Sequence, residues 1–544
     1  MKKQGFIKGS VILIVSVIIV KIIGAMFKIP LADMLGGSGM GYFSSAYGLF
    51  MPVYAFFVTG MSAAAARQIA EYSALGKYKS IRRFKKLLFW FFSLTGIAGT
   101  LLIILTAKPF SYYVIQNKNA YFPVLVTAPS IFFGCIMSVY RGYYEGLRNM
   151  YPTAVSQVAE GISKLVLGLV FCMYILENYD SISPYMHGAD RLSSAAAGAV
   201  AGITLSSAVG AVYLILRDII KGDGISENDI LSDKSDFSEK AALKELLKVL
   251  VPVSVSSLVT NLTSFIDLGT IIRCINNAVE KSPQYFSENF EAFAHTGAEG
   301  FANFAYGSFI GLSVTVFNLV PSVTNMFGKG VLPSAAEAWT AGDRELLKKH
   351  SEDVLKITSF IAVPSGLGIT VLAEPVLKLL YPSSADEIQL AHESLSFLGV
   401  GIIFLALSFP VFSMLQGIGR ADIPLKIMLA GVGVKFLGNM FLVSVPQINI
   451  SGAGISTDLC YLLILILSLH IFCRQTDIKI NFIKLFFPSV YSGILCAVGA
   501  ALAYSRSSDT ILSILCGAAV YMISIYLSDT EFIKSLLRGR KSLN

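Results

Sequence analysis

Two lysines lie inside the first long apolar run of the chain, residues 6–36. Lys21 and Lys28 are seven residues apart, close to two helical turns, so their ammonium groups share one helix face. A lysine at the centre of a bilayer costs on the order of 2.5–3.5 kcal/mol on insertion scales. We therefore expect Lys21, at the centre of the run, to face inward onto an anion or water. For Lys28, snorkelling to the headgroup layer is an equal alternative.

A second pair of charges lies in the apolar run 152–176, where Glu160 and Lys164 are spaced i,i+4 on one helix face. Two interpretations stay open. The pair either neutralises itself and joins two helices, or it lines a cavity. Arg141, at the end of the preceding run, is interpreted mainly as an anchor near the cytoplasmic interface.

The run 246–276 carries Asp267 and Arg273. A polar stripe with helical 3/4 spacing contains Thr260, Thr263, Asp267 and Thr270. Arg273 is off this stripe and close to the predicted outer surface, so snorkelling and a functional role are equally favoured.

Near the end of the chain, Lys435 lies about eleven residues beyond Pro424, roughly mid-membrane at 1.5 Å per residue. Asn439 is on the same face. Asp458 belongs to the next run, shallow on the outer side, where it either pairs with Lys435 or binds a cation. Together these charges predict a polar headgroup cavity that both halves of the chain contribute to, as in transporters with alternating access.

No catalytic pattern accompanies these charges. The five histidines are dispersed, and HExxH, GxSxG and phosphate-loop motifs are missing from the sequence. The seven cysteines show no CxxC or Cys/His spacing and are predicted to be small buried hydrophobic residues. We therefore predict neither an enzyme nor a cofactor nor a metal site.

The elements that position these residues are predicted to be membrane helices. Of the 544 residues, 54% are hydrophobic and only 14% are charged, and the mean hydropathy is +0.66. Soluble domains usually contain about 25% charged residues. The long apolar runs do not alternate, which favours an all-α polytopic membrane protein over a barrel. The basic N-terminus is interpreted as the start of an uncleaved first helix.

Fourteen spans are predicted, at about 7–34, 41–66, 85–110, 119–142, 152–176, 193–217, 246–276, 299–330, 352–381, 392–418, 423–445, 450–473, 482–504 and 510–533. Alternate loops are strongly basic, and the positive-inside rule then predicts that both termini are cytoplasmic. The net charge of +8 is explained by these loops and requires no nucleic acid.

The spans are predicted to form two six-helix lobes and two extra helices. The boundaries are 1–220 for the N-lobe, 221–243 for a cytoplasmic linker, 244–476 for the C-lobe, and 477–544 for spans thirteen and fourteen with a basic tail. GYFSSAYGLF at 41–50 is similar to GFANFAYGSF at 300–309, and other matches follow in the same order, about 260–272 residues apart. Six spans per copy predict parallel repeats related by a pseudo-two-fold axis along the membrane normal.

Three stretches carry a family resemblance. They are KIIGAMFKIPLADMLGGSGMGYFSSAYGLF, YRGYYEGLRNMYPTAVSQVAEGISKLVLG and FSMLQGIGRADIPLKIMLAGVGVKFLGNM. They resemble the polysaccharide-transporter branch of the multidrug/oligosaccharidyl-lipid/polysaccharide exporter superfamily, most closely its lipid II flippase and stage V sporulation protein B types. The resemblance covers essentially the whole chain, including the six-plus-six-plus-two plan.

This resemblance implies a flippase in the bacterial plasma membrane. It would carry an undecaprenyl-pyrophosphate-linked sugar to the outer leaflet for peptidoglycan or another wall polymer, among membrane lipids and cell-wall synthesis proteins. Lys21 matches a basic position of the family. Some relatives bind sodium near the position of Lys435, whose ammonium replaces the ion here, and some carry arginines in span two, where this chain has none.

Three other functions compete with this one. A cation-coupled multidrug antiporter is disfavoured, because its cavity should be acidic. A flippase for capsule or exopolysaccharide repeat units is compatible with the same residues. A non-transporting membrane scaffold in a wall-synthesis or sporulation complex requires a dry, closed bundle instead of a wetted cavity.

Overall fold

A computed structural model describes residues 6–185, 189–222, 225, 230, 233 and 237–530 of the chain. All regular secondary structure in these residues is helical. Contacts divide the chain into two compact units, Met1–Ile272 and Arg273–Asn544. This division falls inside a long helix, Glu239–Lys281, so that helix contributes to both units. The predicted lobe and linker boundaries stay a prediction.

Among the described residues, the first unit contains eight α-helices and most of a ninth. They are α1 Phe6–Tyr54, α2 Gly60–Ala74, α3 Tyr78–Pro109, α4 Tyr121–Val126, α5 Ala128–Gly146, α6 Tyr151–Glu177, α7 Tyr179–Ile182, α8 Arg191–Lys221 and α9 Glu239–Lys281. The backbone of α1 leaves helical geometry at Gly36 (φ 59°), so α1 consists of two helical segments. A π-helical turn, Ala55–Thr59, joins the second segment to α2.

The second unit contains the end of α9 and eleven further helices. They are α10 Pro283–Asn289, α11 Glu291–Ser308, α12 Val314–Phe317, α13 Leu319–Thr340, α14 Arg344–Val371, α15 Ala373–Leu380, α16 Ala385–Gly417, α17 Asp422–Gly438, α18 Ser451–Thr476, α19 Phe482–Ser507 and α20 Thr510–Ser528. Further π-helical turns occur at Phe309–Ser313 and Asn439–Val443.

Within the described residues, twelve helical stretches are long and apolar enough to cross a membrane. The first, Val15–Ala74, contains the second predicted span and most of the first, which lie on either side of the break at Gly36. Helix α9, which carries the predicted seventh span, is not one of the twelve. The protein is thus an all-helical, multi-pass membrane protein, and the count of fourteen spans stays a prediction.

The internal repeat is visible in the backbone. Three positions with left-handed φ in the first unit recur in the second, each about 260–272 residues later. The pairs are Gly36 with Gly297, Gly76 with Gly342, and Arg148 with Gly419. Positive φ strains most side chains but not glycine, so it is rare enough to mark equivalent turns. The two units therefore break their helices at corresponding points, as the ordered sequence matches predict.

Small residues set the spacing of α6 against α8 and α1. A Cβ on Gly202 of α8 would overlap the backbone of Gly168 in α6, so the two backbones are in direct contact. On the other side of α6, Ser16 of α1 donates a hydrogen bond to Gln157 Oε1 at 3.1 Å. Helix α6 is thus held between α1 and α8, with its polar positions facing both.

The cysteines behave largely as the sequence predicts. All seven are free thiols, and Cys135, Cys172, Cys274, Cys460 and Cys496 are buried. Cys473 and Cys516 are only partly buried. The buried five pack as small apolar side chains in the helix interfaces.

Candidate functional site

Lys164 of α6 lies against two aromatic rings of α1. Its Nζ is 5.0 Å from the ring centroid of Phe27 and 5.6 Å from that of Tyr47. The same Nζ donates a hydrogen bond of 3.4 Å to the Tyr47 hydroxyl. Both ring distances are within the roughly 6 Å range of a cation–π interaction. These contacts hold the ammonium in a defined place. None of them involves a carboxylate, so they do not neutralise its positive charge.

The break in α1 brings the two rings together. Phe27 precedes Gly36 and Tyr47 follows it, so the two rings belong to different segments of α1. Phe43 lies between them, with ring centroids 6.2 Å from Phe27 and 4.9 Å from Tyr47. The contact with Lys164 therefore depends on the fold of α1 around Gly36.

Lys28 contributes a second ammonium to this region. Its side chain is partly buried, and its positive charge interacts repulsively with that of Lys164. The structure thus brings together one predicted site lysine from α1 and one from α6. Lys21, seven residues earlier on α1, has an exposed side chain. Because the two positive charges repel each other, an anion that interacts with both would stabilise them.

Glu160, one helical turn before Lys164, has other partners. Its Oε2 accepts from Arg141 Nη2 of α5 at 2.9 Å, and its Oε1 accepts from Ser207 Oγ of α8 at 3.3 Å. In the part of the chain that the structure describes, no ion pair joins Glu160 to Lys164. The interpretation of these two residues as a self-neutralising pair is therefore wrong.

Arg141 forms a largely buried ion pair, a contact that the sequence did not indicate. Its side chain is only 14% exposed and that of Glu160 24%, so their ion pair is largely inside the protein. Arg141 Nε also donates to Ser156 Oγ at 3.0 Å. The only carboxylate that the sequence offers near Lys164 on α6 is thus neutralised by an arginine from the neighbouring helix.

The predicted stripe on α9 is buried in the first unit. Thr263, Asp267 and Thr270 are 7%, 4% and 6% exposed. The hydroxyl of Thr270 donates back to the carbonyl of Ile266 at 2.6 Å. The side chain of Thr260 lies outside the described residues. Arg273, in the second unit, is exposed, so the structure does not place it on the stripe.

In the second unit, Lys435 and Asn439 are buried one turn apart at the end of α17, with exposures of 4% and 0%. Ser456 of α18 donates a hydrogen bond to Asn439 Oδ1. Asp458, also on α18, is partly buried, and its Oδ1 has no hydrogen-bond partner among the described residues. No ion pair between Asp458 and Lys435 occurs among the described residues, and both alternatives for Asp458, pairing with Lys435 and binding a cation, stay predictions.

Comparison with known proteins identifies the family. Over residues 6–324, more than half of the chain, the sequence matches the family described as "Polysaccharide biosynthesis protein". The chain belongs to the polysaccharide biosynthesis protein family. Residues 308–441 also match the family described as "MatE". The resemblance to the polysaccharide-transporter branch is confirmed.

Two curated relatives of this family member come from Bacillus subtilis (strain 168). The lipid II flippase MurJ is 23% identical over 465 residues, which cover 84% of this chain and 80% of that protein. Stage V sporulation protein B is 24% identical over 541 residues, which cover 96% and 95%. A solved structure of the lipid II flippase MurJ in an inward closed conformation matches with a TM-score of 0.66 and 15% identity over 97% of this chain and all of that one.

The structural match establishes the fold that this family member shares with MurJ. By their names, the relatives are transport or sporulation proteins, and the flippases among them are transporters and not enzymes. This agrees with the prediction of a transporter from the charges inside apolar runs.

Sequence reasoning missed three parts of the site in this family member. Phe27 and Tyr47 were ordinary apolar and aromatic positions of α1, and Arg141 was assigned to the interface. The sequence contained no signal for Arg141, because the apolar run ends at about residue 142, whereas α5 continues for more than one helical turn beyond Arg141, to Gly146. No local pattern indicated the two rings, because they are brought together by the break at Gly36.

Proposed function

We propose that this protein moves an undecaprenyl-pyrophosphate-linked saccharide, lipid II or a related wall or spore-cortex precursor, from the inner to the outer leaflet by alternating access. The observation that carries the proposal is the position of Lys164, whose ammonium contacts Phe27 and Tyr47 and has no acidic partner among the described residues. The similarity to the lipid II flippase MurJ and to stage V sporulation protein B supports the choice of substrate.

The electrostatic reason concerns the headgroup. A pyrophosphate is anionic at neutral pH, and an ionised group is very costly to move into hydrocarbon without compensation. A lysine inside a membrane helix is itself costly, by on the order of 2.5–3.5 kcal/mol. When the two ammonium groups and a pyrophosphate interact, the free-energy cost of placing each charge in the membrane interior falls. The prenyl tail stays in lipid meanwhile. The same lysines disfavour a cationic drug as substrate.

The proposal includes a location and an orientation. The protein belongs in the bacterial plasma membrane with both termini in the cytoplasm, which the distribution of basic loops supports. The proteins that make and consume the lipid-linked saccharide on the two sides of the membrane are its proposed partners. Lys21, Asp267, Arg273 and Lys435 are proposed to line the path of the headgroup.

Reconstitution tests the proposal. Purified protein in liposomes is given a fluorescent undecaprenyl-pyrophosphate disaccharide, and leaflet exchange is followed with a membrane-impermeant quencher. We expect exchange by the unaltered protein and a loss of roughly 30-fold or more for Lys164→Met, the lower range for truncating one partner of a buried charge pair. Lys426→Met is the matched control, because Lys426 is 73% exposed and paired with Asp422 at 2.9 Å.

Two results would contradict the proposal. One is the failure of the folded, unaltered protein to exchange any of a panel of pyrophosphate-linked saccharides. The other is equal exchange by Lys164→Met and the control. A parallel assay with a polyprenyl lipid that has a neutral headgroup separates charge recognition from tail recognition, since we expect no exchange of that lipid.

A further inference from the structure

Glu160 and Lys164 have the spacing and order that favour an ion pair within one helix. A glutamate four residues before a lysine is the better of the two orientations for such a pair. The structure shows another arrangement, in which the Glu160 carboxylate turns to Arg141 on α5 and Ser207 on α8. Something in the tertiary structure therefore competes successfully with the local pair.

The competing partner is held in place by its own contacts. Arg141 uses Nη2 for Glu160 at 2.9 Å and Nε for Ser156 Oγ at 3.0 Å. The Ser156 hydroxyl in turn donates to the carbonyl of Thr153 at 2.8 Å. In this series of hydrogen bonds, the Arg141 guanidinium is held at two of its nitrogens and Ser156 is held in turn by Thr153. The guanidinium therefore has little freedom to move.

Close helix packing fixes the helices that carry the pair. A Cβ on Gly142, next to Arg141, would lie 2.7 Å from the carbonyl oxygen of Ser62, so α5 is in backbone contact with α2. A Cβ on Gly210 of α8 would lie 3.6 Å from Glu160 Cβ, an ordinary van der Waals distance, so α8 packs directly beside the glutamate. The direction of the Glu160 side chain is thus a property of the packed helices.

From this geometry we infer that Arg141 is a positioning residue whose ion pair with Glu160 keeps the Lys164 ammonium available to an anionic headgroup. The inference rests on the proposed function in taking Lys164 as the group that contacts the substrate. Arg141 acts on Lys164 only through Glu160. Without the guanidinium, the buried carboxylate turns to the nearest cation on its own helix, Lys164, and the site loses one of its two positive charges.

The test is a rescue experiment in the leaflet-exchange assay. We expect Arg141→Met to lose roughly 30-fold or more in exchange rate, as for truncation of one member of a buried charge pair. The double variant Arg141→Met with Glu160→Gln is expected to recover to within about threefold of the unaltered protein, because the competing carboxylate is gone. Glu160→Gln alone is expected to lose less than Arg141→Met, because no carboxylate remains to pair with Lys164, and Arg141→Lys, which keeps the positive charge, is also expected to lose less than Arg141→Met.

A merely structural role for Arg141 gives a different pattern. In that case Arg141→Met and the double variant are equally impaired, and this result overturns the inference. Unimpaired exchange by Arg141→Met overturns it as well. Each variant is first shown to be monodisperse by gel filtration. If Arg141→Met is not recovered in folded form, Arg141→Gln replaces it in both the single and the double variant.

A second readout does not depend on transport. Lysines are reductively methylated with a ¹³C label, and the Lys164 resonance is assigned by its loss in Lys164→Met. We expect this resonance to shift in Arg141→Met and to return in the double variant. An unchanged resonance in Arg141→Met overturns the inference even if the protein exchanges lipid. A shifted and rescued resonance supports it even if the proposed substrate is wrong, so the two proposals fail separately.

Discussion

Gly168 of α6 lies directly against the ring of Phe27, and a Cβ at this position would be 2.6 Å from Phe27 Cε2. Phe27 is 2% exposed, so its ring has no free space to move into. The same ring lies 5.0 Å from Lys164 Nζ. A missing side chain on α6 is therefore what allows an α1 ring to reach the lysine one turn away.

We predict that Gly168→Ala destabilises the protein, because overpacking of a filled site costs about 1–3 kcal/mol. This exceeds the roughly 0.5–1 kcal/mol that alanine gains over glycine in a helix. Thermal unfolding followed with a thiol-reactive dye at the buried cysteines measures the change. Gly433→Ala is the control, since no atom lies within 4 Å of a Cβ there, and it is expected to be neutral or stabilising. Equal effects of the two substitutions would show that the contact with Phe27 is unimportant.

Substitutions of Tyr47 separate the two contacts that it makes with Lys164. Tyr47→Phe removes the hydroxyl at 3.4 Å and keeps the ring, so we expect at most about a tenfold weaker apparent affinity for the lipid-linked saccharide. Tyr47→Leu also removes the cation–π contact, which is worth about 0.5–2 kcal/mol, and is expected to weaken the affinity further. The concentration dependence of leaflet exchange gives these affinities.

Tyr113→Leu is the matched control for the tyrosine series, because Tyr113 is 81% exposed. An affinity that is the same for Tyr47→Phe and Tyr47→Leu would rule out a contribution of the ring. A loss for Tyr113→Leu of the same size would mean that the assay reports general damage.

We predict that Lys21, which is exposed and shares a face of α1 with Lys28, is a headgroup anchor. Lys21→Ala is expected to abolish complementation of a flippase-depleted strain while the protein remains in the membrane, because the first cation of the path is lost. Membrane abundance is measured with a fluorescent fusion beside the growth assay. Normal growth with normal abundance counts against Lys21 as an anchor.

Asp458 offers a prediction for the second unit. Its Oδ1 is buried without a hydrogen-bond partner in the described residues, and it lies against Gly401 of α16. A buried polar atom without a partner costs about 1–3 kcal/mol, and more for a charged group. We therefore expect Asp458→Asn to increase the free energy of unfolding by about 1 kcal/mol or more, since the amide removes the charge.

Unfolding temperatures in sodium chloride and in choline chloride measure this effect for the unaltered protein and the variant. Asp422→Asn serves as the control, because Asp422 is 47% exposed and its ion pairs with Arg420 and Lys426 are screened by solvent. A sodium-dependent stabilisation that disappears in Asp458→Asn would instead identify Asp458 as a cation ligand and contradict the prediction.

Several features were predictable because they depend on local composition. The helical class follows from apolar runs long enough to cross a bilayer, with each backbone group satisfied within its own helix. The internal repeat followed from ordered motif matches, and the recurring left-handed positions such as Gly36 and Gly297 support it. The lysines of the site were recognisable because a charge in an apolar run is costly wherever the run folds.

The partners of those charges were not predictable in the same way. Local spacing favoured Glu160 with Lys164, but the structure pairs Glu160 with Arg141, nineteen residues earlier on another helix. A side chain has several candidate partners within reach of its own helix, and contacts from adjacent helices decide among them.

The amino-acid sequence alone therefore determined that this chain is a multi-pass helical protein with a twofold internal repeat and cations in its apolar segments. Only the tertiary structure decided which of those cations is paired with a carboxylate. The physical reason is that membrane insertion depends on the composition of each segment, whereas ion pairing depends on distances of 3–4 Å between helices. The glycine contacts of α2 with α5 and of α6 with α8 set those distances here.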